Sequence, residues 1–356
     1  MRVLAAMSGG VDSSVAVALA LDAGHEVVGA TMKLWGGASD TGCCSVADVD
    51  DARRVAQQLG IPHHVFSFTD EFHERVVDPY VAAHAAGRTP NPCIECNRHL
   101  KFDRFMRRAT ALGFDAVATG HHARVRSATG GVLALHRGLD AAKDQSYVLH
   151  MLGQAQLARV LLPVGEMTKD QVRRRATEME LRTADKPDSQ DVCFISATGG
   201  RHAFLDPRLD LHAGDVVDAT GATVGTVQAV ELVTVGQRRG LGLPGGGPAQ
   251  YAVSVDVPRR RVVVGPPEDL LAHEVAVSGE TWVSSGPAVG ERVLAQVSAH
   301  GVAKPARWSG AGIAWEEPQG SVAAGQAVVL YSAADPSRCL GGGTAEHPDP
   351  AHQASP

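Results

Sequence analysis

The sequence predicts an α/β protein in which a parallel sheet is followed by two small β-rich domains, the last of them a β-barrel. Strand and helix patterns alternate from the start of the chain to about residue 120. After about residue 200 the pattern changes to short β-type runs separated by glycine and proline, with almost no helical periodicity. A glycine-rich turn between the first strand and the first helix is the third observation, because such turns bind anions in α/β folds.

The first part of the chain supplies the parallel sheet and its helices. Val3–Met7 is the first predicted strand, and Val15 and Leu19 give the following helix a buried side. The other predicted elements are strands at 27–32, 63–68 and 116–118 and helices at 46–59, 72–84 and 100–112. Ligands bind at the carboxyl ends of the strands in such sheets. We therefore expect the glycine-rich turn, Met32 and the turn at 119–122 to meet at one nucleotide.

The change of pattern also predicts the domain limits. We expect residues 1–200 to form the first domain, residues 201–266 a central β-rich domain and residues 267–341 the C-terminal barrel. The clearest strands beyond residue 200 lie at 251–255, 261–264, 292–297 and 326–331. Glycine, proline and alanine dominate residues 342–356, which predicts a disordered tail.

Composition limits the compartment and the partners. No signal peptide is visible, and no apolar run approaches the roughly 18 residues of a membrane helix, so we expect a cytoplasmic protein with no membrane partner. The six cysteines are then more typical of catalysis, metal binding or packing than of disulfides. A net charge of -6 argues against a nucleic-acid partner, but basic clusters at 98–108, 173–175 and 259–261 leave room for an RNA-binding face.

The glycine-rich turn spans Ser8 to Ser14 and reads S-G-G-V-D-S-S. Its glycines allow the backbone to approach a phosphate, its serines offer hydroxyl groups, and Asp12 can cap the helix or hold a cation. It is neither a Walker A loop nor a dinucleotide fingerprint. It resembles the PP-loop of the N-type ATP pyrophosphatases. This resemblance implies a sheet of the adenine nucleotide alpha hydrolase (PP-loop) type, with ATP and Mg²⁺ as cofactors and AMP transferred to a substrate oxygen.

Three cysteines indicate which reaction follows the transfer of AMP to the substrate. Cys93 and Cys96 have C-x-x-C spacing in a segment with two prolines, which predicts a loop. The segment precedes a basic helix, where Arg98 and Lys101 would stabilise a thiolate. Cys193 lies at the end of the α/β region. Three thiols near a nucleotide-cleaving turn favour thiol chemistry over simple packing.

Several longer motifs extend the resemblance over nearly the whole chain. They lie at 87–92 (GRTPNP), 118–121 (ATGH), 143–147 (KDQSY), 186–189 (KPDS), 193–195 (CFI), 236–242 (GQRRGLG) and 339–343 (CLGGG). With them the chain resembles the family of bacterial tRNA-specific 2-thiouridylases, sulfurtransferases that place sulfur on the wobble uridine of tRNA.

That resemblance implies a reaction and assigns residues to it. AMP is transferred to the C2 oxygen of the wobble uridine, a persulfide on Cys193 delivers sulfur to C2, and Cys96 is the nucleophile that attacks the persulfide. Either sulfide is freed or a Cys96–Cys193 redox disulfide closes, and AMP leaves. The implied ATP-binding residues are Ala6, Met7, Ser8, Gly9, Gly10, Val11, Asp12, Ser13, Met32 and Gly120. The implied tRNA-binding residues are Asn91, Pro92, Cys93, His121, Lys143, Asp144, Gln145 and Gln326. The implied partners are tRNAs for Lys, Glu and Gln and a cysteine desulfurase or sulfur-relay protein.

One departure from the family pattern opens an alternative. Cys93 stands where the best-known relatives have an aspartate credited with acid/base work, which puts a proton-transfer role at this position in doubt. Cys93, Cys96 and Cys193 could instead hold an iron–sulfur cluster, as related PP-loop thiolases do with three cysteines. We expect Cys339 and the pair Cys43-Cys44 to serve packing.

Two other functions stay open on the sequence alone. Another PP-loop enzyme, such as a tRNA-cytidine thiolase or an amidating synthetase, would share residues 8 to 14. An amidating synthetase needs an ammonia source and no paired cysteines. The other is a non-catalytic RNA-binding protein that keeps the nucleotide-binding fold as a relic. In such a protein the substitution Asp12→Ala would not change the product.

Overall fold

The computed structural model describes residues 1–35, 46–188, 192–196 and 199–346. The predicted packing role of Cys43-Cys44 lies outside these described residues. The helices are α1 (Val11–Asp22), α2 (Val46–Gln58), α3 (Thr69–Phe72), α4 (Asp78–Ala85), α5 (Pro92–Glu95), α6 (Phe105–Ala111), α7 (Gln154–Leu157), α8 (Lys169–Glu178), α9 (Cys193–Ser196) and α10 (Arg201–Leu205). Two π-helical segments, His73–Val77 and Cys96–Arg104, join α3 to α4 and α5 to α6.

The strands form three sheets. They are β1 (Arg2–Ala6), β2 (Glu26–Lys33), β3 (His63–Ser67), β4 (Ala116–Ala118), β5 (Ala123–Ser127), β6 (Leu133–Arg137), β7 (Val160–Leu161), β8 (Gly214–Val217), β9 (Thr223–Val227), β10 (Tyr251–Asp256), β11 (Arg261–Gly265), β12 (Leu271–Trp282), β13 (Arg292–Gln296), β14 (Lys304–Trp308), β15 (Gly312–Gly320), β16 (Ala327–Ser332) and β17 (Arg338–Ala345).

The first sheet is parallel, as predicted, with the strand order β3-β2-β1-β4-β7. The chain runs outward from β1 to β3 and then returns to add β4 on the other side of β1. This reversal leaves a crevice between the carboxyl ends of β1 and β4, where α/β sheets bind their ligands. The PP-loop follows β1 and the 119–122 turn follows β4, so both border this crevice.

The second sheet belongs to the central region and has the order β10-β11-β8-β9. Its own small core contains Val216, Val230 and Val262. The third sheet has eight strands, and pairing of β12 with β17 closes six of them into a barrel. The predicted C-terminal barrel is therefore confirmed.

Two features of the barrel sheet differ from the sequence prediction. The hairpin of β5 and β6, from the first part of the chain, extends this sheet because β6 pairs with β17. Residues 342–345, which we expected in a disordered tail, belong to β17 and pair with β12 and β16. Glycines 341–343 read as a flexible tail, but a Cβ atom at any of them would meet a neighbouring strand within 3 Å. They are strand residues in close packing.

The largest hydrophobic core joins the parallel sheet to the barrel. It contains Phe72, Leu100 and Phe105 from the first part of the chain together with Val329 and Tyr331 from β16. Cys339 is 1% exposed in this core, in agreement with its expected packing role. Within the described ranges, no helix is long and apolar enough to cross a membrane.

Candidate functional site

Serine hydroxyls hold the PP-loop in shape. The Ser13 hydroxyl donates to the carbonyl oxygen of Gly10 at 3.0 Å and accepts from the backbone N–H of Ser8 at 3.2 Å. The Ser14 hydroxyl donates to the same carbonyl at 2.8 Å. Gly10 is the N-cap of α1, so Asp12 does not cap this helix and one of its two predicted roles is wrong. The first N–H groups of the helix have no intrahelical acceptor, which suits an anion.

Two glycines allow the turns of the crevice to approach other backbone closely. Gly9 has φ +72, and a Cβ atom there would lie 2.3 Å from the carbonyl oxygen of Asp48 in α2. A Cβ atom at Gly120 would lie 2.6 Å from the backbone nitrogen of Ser13. Gly120 therefore lets the turn after β4 pack directly against the start of α1.

The two turns border a cavity of about 310 Å³, a volume within the range of small-molecule sites. All the residues that the resemblance assigns to ATP line this cavity except Gly9, which packs against α2. The lining residues from that set are Ala6, Met7, Ser8, Gly10, Val11, Asp12, Ser13, Met32 and Gly120. Convergence of these residues on one space is expected for a nucleotide site at the crevice of a parallel sheet.

The cavity wall is rich in ammonium groups. Its charged side chains are Lys101, Lys143, Lys169, Lys186, Asp12, Asp48 and Asp188. Lysine ammonium groups bind phosphate as point charges, and carboxylates at such a site hold Mg²⁺ together with phosphate oxygens. The arrangement suits a polyphosphate ligand.

Asp12 is bound from two sides. The Lys169 ammonium nitrogen lies 2.7 Å from each of its carboxylate oxygens, and Nε2 of His122 donates to Oδ1 at 3.1 Å. Burial raises the pKa of Asp12, but the hydrogen bonds from His122 and Lys169, with the ammonium charge, outweigh burial. The pKa of Asp12 is lowered, and the carboxylate is ionised at neutral pH.

Sequence reasoning missed Lys169. It is the first residue of α8, after the N-cap Thr168, whose hydroxyl accepts from the backbone of Gln171 in a capping box. A cation is unfavourable at a helix N-terminus, because the helix dipole is positive there. A lysine directly after a capping threonine was the one signal in the sequence for a tertiary partner. Only 8% of Lys169 is exposed.

Asp188 forms ion pairs with three cationic side chains. Its carboxylate oxygens lie 2.7 Å from Nζ of Lys143, 2.9 Å from Nζ of Lys169 and 2.7 Å from a guanidinium nitrogen of Arg173. Burial raises the pKa of Asp188, but the bonds from Lys143 and Lys169 outweigh burial and lower the pKa to about 2. Lys169 thus bridges the PP-loop and the segment that leads to Cys193. Arg173, from a predicted basic cluster, serves this internal network.

The C-x-x-C segment is helical, so its predicted loop structure is wrong. Asn91 is the N-cap of α5, and its side-chain oxygen accepts from the backbone N–H of Cys93 at 3.1 Å. Pro92 occupies the first helical turn, where a missing N–H costs nothing. The helix then continues through Cys96 into the π-helical segment. Prolines before and at a capped start do not break a helix.

Cys96 and Cys193 pack against the same hydrophobic core. Cys96 is 9% exposed within it, and Cys193 is half-buried against it at the start of α9. Phe194, next to Cys193, has its ring centroid 4.9 Å from that of Phe204 in α10. Neither cysteine lines the cavity, although Lys101, in the π-helical segment that begins at Cys96, does.

The alternative iron–sulfur site depends on the relative positions of Cys93, Cys96 and Cys193. In the part of the chain that the structure describes, which includes all three, no group of three His, Cys, Asp or Glu side chains could hold a metal ion. The structure therefore gives no support for a metal ion held by these thiols, and no step below is routed through a cluster.

Three of the residues assigned to tRNA lie at the cavity. His121, Lys143 and Gln145 line it. Nδ1 of His121 lies 2.8 Å from the Thr119 hydroxyl, and burial lowers the pKa of His121 well below its usual range, so the ring is neutral. The Gln145 side-chain oxygen accepts from the backbone N–H of His122 at 2.9 Å.

Asp144 has a different environment. Its side chain is 5% exposed and lies 2.7 Å from a guanidinium nitrogen of Arg137. It also accepts from the Ser146 hydroxyl at 2.9 Å. The Arg137 guanidinium carbon in turn lies 3.6 Å from the ring centroid of Tyr331 in the barrel. In this structure Asp144 supports the contact between the first region and the barrel.

The remaining tRNA-assigned residues lie where the loop before α5 meets the barrel. The backbone N–H of Thr89 donates to the carbonyl oxygen of Ala324 at 2.7 Å, and Arg88 forms a two-bond ion pair with Glu346 at 2.9 and 3.0 Å. Gln326 directly precedes β16 and follows Ala324 by two residues, and Asn91 follows Thr89 by two residues. Asn91, Pro92, Cys93 and Gln326 are all outside the cavity lining.

Comparison with known proteins gives the family. Residues 1–197 match the family model described as tRNA methyl transferase HUP domain. Residues 202–266 match the tRNA methyl transferase PRC-barrel domain, and residues 275–345 match the aminomethyltransferase beta-barrel domain. A protein of Beutenbergia cavernae named tRNA-specific 2-thiouridylase MnmA is 46% identical over 97% of this chain and 94% of its own length. The chain belongs to the tRNA-specific 2-thiouridylase family.

Further members show the same full-length relation. The protein of the same name from Chloroflexus aggregans is 45% identical over 98% of this chain and 99% of its own. That from Rhodococcus jostii is 46% identical over 97% of both. A solved 4-thiouridine synthetase in complex with RNA and ATP is 19% identical, with a TM-score of 0.37 over 56% of this chain and 46% of that one, too low to support an inference.

Proposed function

We propose that the chain is an ATP-dependent sulfurtransferase, a tRNA-uridine 2-sulfurtransferase, that converts the wobble uridine of tRNA to 2-thiouridine. One observation carries this proposal: a single lysine-rich cavity at the sheet crevice is lined by nearly every residue that the family resemblance assigns to ATP. Relatives with the 2-thiouridylase name cover 97–98% of the chain, which supports the tRNA substrate.

In the first step ATP transfers AMP to the C2 oxygen of the uridine. The N–H groups at the start of α1 and the ammonium group of Lys169 bind the phosphates and stabilise the charge that develops on the departing pyrophosphate. Asp12 would hold Mg²⁺ together with phosphate oxygens, and the ion would neutralise further charge on the leaving group. Neutral His121 lines the same space and donates or accepts a hydrogen bond without adding charge.

In the second step sulfur replaces the activated oxygen. The terminal sulfur of a Cys193 persulfide attacks C2, and AMP leaves with the former C2 oxygen. The Cys96 thiolate then attacks the inner sulfur of Cys193, so the sulfur–sulfur bond breaks, the Cys96–Cys193 disulfide forms and C2 keeps the sulfur. If Cys96 attacks the inner sulfur of Cys193 before the persulfide reaches C2, the disulfide forms, hydrosulfide is released, and hydrosulfide attacks C2 instead. A thiol reductant reopens the disulfide, and a cysteine desulfurase or sulfur-relay protein reloads Cys193.

Two groups of residues would place the tRNA. His121, Lys143 and Gln145 would contact the target nucleotide at the cavity, and Asn91, Pro92, Cys93 and Gln326 would contact it at the junction of α5 with the barrel. We propose tRNAs for Lys, Glu and Gln as the acceptors.

The test is formation of the product. The protein is incubated with unmodified tRNA, ATP, Mg²⁺, cysteine, a thiol reductant and a cysteine desulfurase, and the nucleosides are analysed by mass spectrometry. We expect 2-thiouridine together with AMP and pyrophosphate. Absence of 2-thiouridine where an established thiolase succeeds under the same conditions would sink the proposal.

Cysteine variants separate this reaction from amidation or RNA binding alone. Cys96→Ala and Cys193→Ala should abolish 2-thiouridine, while release of pyrophosphate in the first turnover persists. The matched control is Cys339→Ala, which changes a buried thiol that is not part of the cavity lining. An amidating synthetase would stay active without Cys96 and Cys193.

A further inference from the structure

The GQRRGLG motif forms a tight turn in the central region that the proposed reaction does not use. Gly236, Gly240 and Gly242 all have positive φ angles, 87°, 73° and 63°, which strongly favour glycine. A Cβ atom at Gly242 would lie 2.0 Å from the carbonyl oxygen of Thr226 in β9. The glycines therefore determine the backbone path of the turn, and Gly242 allows the end of the turn to pack closely against β9.

The side chain of Gln237 stabilises the same turn by hydrogen bonds to the backbone. Its amide oxygen accepts from the backbone N–H of Thr234 at 3.2 Å, and its amide nitrogen donates to the carbonyl oxygen of Arg239 at 2.8 Å. The backbone of Gln237 also pairs with Ala252 at the start of β10. These bonds hold the turn in one conformation.

The rigid turn places two cations in solvent. Arg238 and Arg239 are both exposed, and in the described ranges neither guanidinium lies within ion-pair distance of a carboxylate. No Asp or Glu occurs in the sequence between Glu231 and Asp256. Arg259 in the same region differs, because it lies 2.7 Å from Asp256. Two adjacent, uncompensated guanidinium groups on a fixed backbone suit phosphate, which arginine can bind with two parallel hydrogen bonds.

A short series of contacts connects this turn to the Cys193 segment. The Thr234 hydroxyl accepts from the Arg201 guanidinium at 3.5 Å, and Arg201 begins α10. Phe204 of α10 packs against Phe194, the neighbour of Cys193. A tRNA is far larger than the cavity of about 310 Å³, so the rest of the polynucleotide must lie on the protein surface around the site.

We propose that the turn Gly236–Gly242 is a phosphate-binding loop that holds the tRNA backbone outside the catalytic cavity through Arg238 and Arg239. The inference rests on the proposed function, since it takes tRNA as the partner. Backbone contacts of this kind set the position of the RNA and contribute affinity that depends on salt, without reading sequence.

The experiment measures binding of unmodified tRNA as a function of salt. The variant that combines Arg238→Ala with Arg239→Ala should bind on the order of tenfold more weakly near 0.1 M salt. Its slope of log affinity against log salt should be smaller by about 1.4 to 1.8, which is roughly 0.7–0.9 for each of the two lost phosphate contacts. Arg259→Ala is the matched control and should keep the wild-type slope, because its charge is already paired.

Two further variants keep both arginines and change only the residues that hold the conformation of the turn. Gln237→Ala and Gly240→Ala should weaken tRNA binding by several-fold, because the guanidinium groups lose their fixed positions. Thermal unfolding of each variant checks that the domain stays folded. Wild-type affinity and slope in the double arginine variant would overturn the inference. So would unchanged tRNA binding with slower loading of sulfur by the desulfurase, since the turn would then bind an acidic protein.

The outcome is distinct from failure of the proposed function. If the wild-type protein forms 2-thiouridine but the double variant keeps its full salt slope, only the inference about this turn is wrong. If the wild-type protein forms no 2-thiouridine and does not bind tRNA, the proposed function fails first.

Discussion

The ammonium nitrogen of Lys169 lies 2.7 Å from both carboxylate oxygens of Asp12 and 2.9 Å from Asp188. One side chain from α8 therefore neutralises the aspartate of the PP-loop and the aspartate that leads toward Cys193. A triphosphate that enters the cavity competes with both carboxylates for this cation. Lys169 is thus placed to exchange carboxylate for phosphate when the nucleotide binds.

Lys169→Met should reduce pyrophosphate release by about a hundredfold, because it removes a positioned cation from a site where negative charge develops. The measurement is the rate of tRNA-dependent pyrophosphate release at saturating ATP. Asp12 keeps its bond from His122 and Asp188 keeps Lys143 and Arg173, so we expect a much smaller effect on the unfolding midpoint than on the rate.

Arg175→Ala is the control for that substitution. Arg175 lies on the same helix, but its guanidinium is paired with Asp22 on the exterior, outside the cavity lining. Its loss should leave the rate within about twofold, since exposed ion pairs contribute little. Equal losses of activity in the two variants would mean that α8 acts only through its overall stability.

Gly120→Ala should lower both ATP affinity and stability. The added methyl group would lie 2.6 Å from the backbone nitrogen of Ser13, so the start of α1 or the turn after β4 must move. Titration with ATP and thermal unfolding measure the two effects. Gly320→Ala is the control, because no atom lies within 4 Å of a Cβ atom there. Normal ATP binding by Gly120→Ala would contradict the close approach.

Asn91→Ala should destabilise the helix that carries Cys93 and Cys96 by about 1 kcal/mol, the usual cost of losing an N-cap side chain. Chemical denaturation measures this loss, and the rate of 2-thiouridine formation shows whether the cysteines stay in place. Asn91→Asp keeps a capping oxygen and should restore stability. Equal destabilisation by both substitutions would show that Asn91 acts by some other contact.

Acid should destabilise the protein through two buried histidines. Burial lowers the pKa of His84 and His150 to about 4, despite a hydrogen bond from each ring to a backbone carbonyl. The unfolded chain takes up these protons near pH 6.5 while the folded protein takes them up only near pH 4. Stability is therefore present above about pH 6.5 and declines as the pH falls toward 4.

The check is the pH dependence of the unfolding free energy for His84→Gln. The slope of the unfolding free energy against pH is proportional to the number of protons taken up on unfolding. Between those pH values this number should be smaller in the variant than in the wild type by up to one proton. A wild-type slope in the His84 variant would show that the ring is protonated in the folded state.

The sequence predicted well where the signal is local or follows chain order. Strands and helices alternate in the first part, so a parallel sheet was predictable, and S-G-G-x-D-S after a strand predicted the turn between β1 and α1 at the carboxyl edge of that sheet. The C-x-x-C segment was predicted as a loop, but it is helical. Pro92 reads as a helix breaker unless Asn91 is recognised as the cap that starts the helix.

Contacts between distant segments were not predictable. Nothing near Lys169 indicates that its partners are Asp12 and Asp188, although a lysine at a helix start is unusual. The extension of the barrel sheet by β5 and β6 was also not predicted, because the sequence pattern of a strand pair does not show which sheet the pair joins. Asp144 lies in the KDQSY motif, yet its carboxylate binds Arg137, which in turn contacts Tyr331 of the barrel.

By itself the sequence determined the order of the elements, the glycine-rich anion turn and the residue types available for thiol chemistry. These depend on local backbone preference and on side-chain chemistry, which act over a few residues. Only the tertiary structure decided which charges meet. Segments more than a hundred residues apart close the cavity, and the balance of burial against ion pairing that keeps Asp12 and Asp188 ionised exists only after they have done so.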